Sequence, residues 1–102
     1  MSIDQRRKQA ADLLPDLRSI LRLLESLDQL PPQTVPTVRA NIDQKISVVS
    51  PILDVITRPG WPGGESVAQQ WKLFKEQLPG RPGGSAGILR VCITRLEEFA
   101  QG

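Results

Sequence analysis

The chain has 102 residues, 39% hydrophobic and 24% charged, a balance that belongs to a folded domain and not to a disordered segment. That length fits a single domain, residues 1–102, with enough chain to bury a modest core. The 13 basic and 11 acidic residues are interspersed and leave a net charge of +2, so there is no basic face to drive binding to nucleic acid or an anionic membrane. The single cysteine excludes an internal disulfide, and a reducing, cytoplasmic setting is expected. The opening MSIDQRRKQAADLL lacks the apolar run of a secretory signal, and no apolar run approaches the ~20 residues of a membrane span. With no tyrosine and no alternating β-branched run, no strand is expected.

Ser2 and Gln5 have the spacing of a capping box, and a helix is expected from about Ile3. Ala10, Leu13, Leu17, Ile20, Leu24 and Leu27 recur every three or four residues along it. Leu14, Leu21, Leu23 and Leu30 widen that stripe. At about 100° per residue the apolar arc takes in roughly half the circumference, which calls for two or three neighbouring helices. Pro15 removes the bond to the Ala11 carbonyl, so a kink is expected there; the stripe continues in phase across it, so the helix should not end.

Pro31-Pro32 should end this helix and hold Leu30 in an extended conformation. The short PPQT connection implies an antiparallel neighbour, with Thr34 as its expected cap. The second helix is expected over Val35–Thr57, with Val35, Val38, Ile42, Ile46, Val49, Leu53 and Ile56 inward. It carries Pro51 at a similar distance from the turn as Pro15, so the two helices should bend at one height. The stretch RPGWPGGE, 58–65, reads as a loop. Its Trp61 either folds back over the bundle end or anchors a partner.

A third helix is expected over Ser66–Leu78, capped by Ser66 with Gln69, and buried through Val67, Trp71, Phe74 and Leu78. The connector LPGRPGGSAG follows, and a fourth helix is expected from the cap Ser85 to Ala100. Its inward residues should be Ile88, Leu89, Cys92, Leu96 and Phe99. The fold class expected is all-α: an antiparallel four-helix bundle, with a long helical hairpin kinked at Pro15 and Pro51 packed on a shorter one. Helices of about 27 and 23 residues outrun partners of about 13 and 15 at 1.5 Å per residue. If the short hairpin covers the end near Ile3 and Ile56, the far tip at Leu24, Leu27, Leu30, Val35 and Val38 is thinly covered. The alternative is that the two kinks fold the tip back over the short helices.

The sequence holds no histidine, which removes the commonest general base and metal ligand. One cysteine cannot build a zinc site, and Cys92 sits on an apolar stripe as a buried thiol would. Asp12 and Asp16 share a helix face, but no further oxygen ligand stands at a recognisable spacing. Glu97 and Glu98 diverge around a helix. Gly80–Ser85 lacks the Lys-Ser/Thr and the preceding strand of a phosphate loop.

No catalytic residue, cofactor, metal or small-molecule substrate is therefore expected, nor any membrane association. The reading that remains is a non-catalytic helical protein–protein interaction module: an adaptor, an assembly subunit or a homotypic oligomerisation domain. Its partner would be another protein or a second copy of the chain. The candidate contacts are Leu23, Leu27, Leu30, Val35, Val38, Val48, Val55 and Trp61. The alternative is a small nucleic-acid-binding regulator using Arg6, Arg7 and Lys8, a cluster that spreads around its helix with no aromatic residue among it.

Overall fold

The computed structural model describes residues 2–58 and 63–101. Among them are four α-helices and no strand: α1 (Ile3–Ser26), α2 (Val35–Ile56), α3 (Gly64–Gln77) and α4 (Pro82–Gln101). They pack as a bundle 45 × 19 × 19 Å across. In it α1 packs against α2 and α4, α4 against α1 and α3, and α2 only lightly against α3.

Ser2 starts α1 as expected. Its amide donates to Gln5 Oε1 at 3.1 Å and its hydroxyl accepts from the Gln5 amide at 3.2 Å. The helix passes through Pro15, and α2 through Pro51, without interruption; both prolines are exposed. At its C-terminus α1 tightens into a 3-10 turn, Leu27–Gln29, before Leu30 turns extended (φ −89°, ψ 150°) ahead of Pro31.

The inward faces follow the 3.6-residue period. Leu13, Leu17, Ile20, Leu24 and Leu27 are buried on α1, and Ile42, Val49, Leu53 and Ile56 on α2. Val35, Val38 and Ile46 are half-buried at the edges of the core. All four expected residues of α3 are buried. On α4 the buried set is Ser85, Ala86, Leu89, Cys92, Ile93 and Leu96, with Ile88 and Phe99 half-buried. This arc is wider than the expected stripe because α4 serves two neighbours.

Two ion pairs record the antiparallel register of α1 and α4: Arg18–Glu97 at 3.3 Å and Glu25–Arg90 at 3.1 Å, seven residues apart on each helix. Both are exposed, so they report alignment more than they stabilise it. Trp71 fills the loose α2–α3 seam. Its indole N–H donates to Ser50 Oγ at 3.1 Å, and its ring lies 5.2 Å from that of Phe74.

Four expectations are corrected. Thr34 stands at the N-cap of α2 but makes no side-chain capping bond. The helix α3 begins at Gly64, before Ser66, because Gly63 at φ +85° makes the left-handed entry that a glycine tolerates. The helix α4 begins at Pro82 and not at Ser85: proline suits the first helical position, and Gly83-Gly84 is absorbed into the first turn. Ser85 is fully buried, donating to the Pro82 carbonyl at 2.7 Å.

The longer α4 also changes the tip. The α3–α4 connector lies beside the α1–α2 turn, where Leu27, Ile42 and Leu78 meet and Arg39 Nη2 donates to the Pro79 carbonyl at 3.2 Å. Leu24 and Leu27 are buried, and Leu30, Val35 and Val38 are half-buried against the core. The thinly covered tip is therefore not found.

Two substitution pairs check this packing. Phe74→Ala should cost about 3–5 kcal/mol in urea unfolding, while Leu73→Ala, its 37% exposed neighbour, should cost much less. Nothing lies within 4 Å of a Cβ built on Gly87, so Gly87→Ala should stabilise the helix by about 1 kcal/mol. Gly63→Ala, at positive φ, should destabilise by about 1–2 kcal/mol.

Candidate functional site

The core holds one nucleophile. Cys92 is fully buried, its Sγ 3.8 Å from the Val67 carbonyl, and burial pushes its thiol up to about 12. A thiol at that value has almost no thiolate near neutral pH and is inert. Among the described residues no three acidic, cysteine or histidine side chains gather closely enough to hold a metal. No helix among them is long and apolar enough to cross a membrane. Glu98 bonds Arg95 at 3.4 Å while Glu97 reaches Arg18 on α1, so these two glutamates are committed to different partners.

The surface offers more. Among the described residues the most exposed large hydrophobic side chain is Val48 on α2, at 60%. Ile52, one turn on, is 37% exposed, and Val55 beyond it is half-buried. These three residues, at i, i+4 and i+7, form a second apolar line on α2, turned away from the buried stripe. Beside Val48 runs a groove of about 290 Å³ between α1 and α2, floored by Val49 and walled by Asp16, Asn41, Gln44 and Lys45. Around the line α2 carries Ala40, Asn41, Gln44, Ser47 and Pro51 and one charged residue, Lys45, seven residues before Ile52 on the groove side.

Of the candidate contacts read from the sequence, Val48 is exposed, while Leu23, Leu30, Val35, Val38 and Val55 are half-buried. Leu27 is buried in the core, and Trp61 lies outside the described residues. Leu23 is seven residues from Asp16, on the same flank of α1. The tip residues pack inward and do not join Val48. Ile52 was missed. The signal for it was its place between Val48 and Val55 on a line offset from the main stripe.

Arg6 and Arg7 are half-buried and Lys8 is exposed, so the three basic residues do not present one cationic surface. Arg7 instead helps line a second cavity, of about 320 Å³, with Ile3, Gly63, Ser66, Arg95, Glu98 and Phe99. Ile3, Leu73 and Val91 are exposed singly, which is ordinary for a folded surface.

Compared with protein-family models, curated proteins and solved structures, the chain matches none.

The buried thiol sets a pH test. Its folded pKa lies above its unfolded value, so its contribution is fully present below about pH 9 and is lost as pH rises toward about 12. Unfolding free energies measured across that range should fall with pH, and Cys92→Ala should remove that part of the slope. In native protein near neutral pH, a thiol reagent should label Cys92 at least about tenfold more slowly than in urea.

Proposed function

We infer that this chain is a non-catalytic helical protein–protein interaction module that engages its partner through the α1/α2 face. The observation that carries the reading is the apolar line Val48–Ile52–Val55, its first two residues exposed, on a flank of α2 whose one charge is Lys45, in a bundle whose core is already filled without it. A depleted charge and exposed aliphatic side chains at the centre of a patch are what interface cores have in common. The exposed part of Val48 and Ile52, 60% and 37% of each residue, leaves apolar area in water, at a cost of about 25 cal/mol per Å². An adaptor or assembly role follows from the same surface. The sequence contains no histidine and its one thiol is buried, so neither histidine nor cysteine chemistry supports a catalytic reading. A reducing intracellular setting fits the free thiol.

The test is a photo-reactive amino acid placed at position 48 or 52 in the chain's native cells, with position 76 as an exposed control on α3. A discrete adduct is expected at 48 and 52 and not at 76. Val48→Asp should weaken that complex at least about tenfold, while changing the stability of the bundle by no more than about 0.5 kcal/mol. An absence of adducts at both positions on α2 would overturn the reading.

A further inference from the structure

We propose that the α1/α2 groove takes an amphipathic helix of another polypeptide, one that carries lysine or arginine beside its apolar face. The inference rests on the interaction reading and adds the chemistry of the partner. Helix-in-groove recognition needs anchors one and two turns apart, and Val48, Ile52 and Val55 supply that spacing along α2. The groove next to Val48 gives a side chain from the incoming helix a place to enter.

Charge decides which helix fits. On the side of α1 that meets α4, the long charged side chains are satisfied: Arg18 by Glu97 and Glu25 by Arg90. On the opposite flank, Asp12 and Asp16 are both exposed, one turn apart, and neither makes an ion pair among the described residues. Asp16 walls the groove itself. Lys45 stands on the other wall, half-buried, and makes no ion pair with Asp16 among the described residues. The rim along α2 thus carries Val48 with Asn41, Gln44 and a single cation, Lys45, while the rim along α1 carries two aspartates, Asp12 and Asp16. An incoming helix with cations on the edge over α1 places them on Asp12 and Asp16 while its aliphatic face covers Val48 and Ile52. An acidic edge there meets like charge, and complementarity of this kind sets specificity more than raw affinity. A second copy docked with its own α2 antiparallel brings the two acidic rows together, so self-association is the poorer fit.

The test uses two labelled helical peptides of about 15–20 residues with the same leucine face, one with lysine and one with glutamate along one edge. They are titrated into the full chain by fluorescence anisotropy and by amide chemical-shift mapping. The lysine peptide is expected to bind at least about tenfold tighter than the glutamate peptide at low salt, with the gap closing as salt rises. The largest shifts should fall on Asp16, Val48 and Ile52. Asp12→Asn with Asp16→Asn should bring the two peptides within about threefold of each other, and Val48→Asp should abolish binding of both. Equal affinities, shifts on another face, or no binding by either peptide would overturn the proposal. Any of these with adducts still forming at positions 48 and 52 would leave the interaction reading standing without its charge rule. A sedimenting dimer that Val48→Asp dissociates would assign the groove to a second copy instead.

Discussion

The leucine stripe of α1 must be covered from two sides, and the rest of the bundle is arranged by that need. Its arc is too broad for one neighbour, so α2 takes one flank and α4 the other. Because α4 then has to reach α3 as well, its own buried arc spreads from Ala86 through Leu89, Cys92 and Ile93 to Leu96. Helix α3 is held mostly through α4, and its seam with α2 is bridged by one large residue, Trp71, whose ring fills the gap and whose N–H reaches Ser50. The four sides of the bundle are therefore unequal, with α1–α4 and α3–α4 close and α2–α3 wide.

That inequality explains what is left over on the surface. Helix α2 packs closely only against α1, so it retains apolar side chains that the described residues leave partly uncovered. Val49 and Leu53 are buried in the core while Val48, at the groove, and Ile52, one residue before each, are exposed. Of the charges on this helix, Arg39, Asp43 and Asp54 lie away from the line, while Lys45 borders it at the groove. Acidic residues on α1 border it. This patch, small and aliphatic with a charged margin, is the surface on which the proposed partner contact rests.

Much of the fold was legible because period and punctuation agreed. The capping box at Ser2 and Gln5, the stripe of α1, and the complete buried set Val67, Trp71, Phe74 and Leu78 all follow from spacing alone. The misses come from residues with two uses. Gly83 and Gly84 read as helix breakers, yet proline at the first position carried the helix through them. Ser66 and Ser85 read as caps, yet Gly63 and Pro82 start their helices earlier. Those three added residues on α4 bring the connector up to the α1–α2 turn, which is why Leu24 and Leu27 are covered and the candidate site moved from the tip to the side. Val48 was visible as a residue off the main stripe. Its pairing with Asp16 across a groove depends on how α1 and α2 dock, which no spacing within one helix records.

The contact between α1 and α4 joins the first of the four helices to the last. During synthesis the leucine-rich surface of α1 emerges long before the segment that shields it on that side, with only α2 available in the meantime. The nascent chain therefore carries an unprotected oily face for most of its translation, and the closing of that face requires contacts far apart in sequence, the slower kind to form.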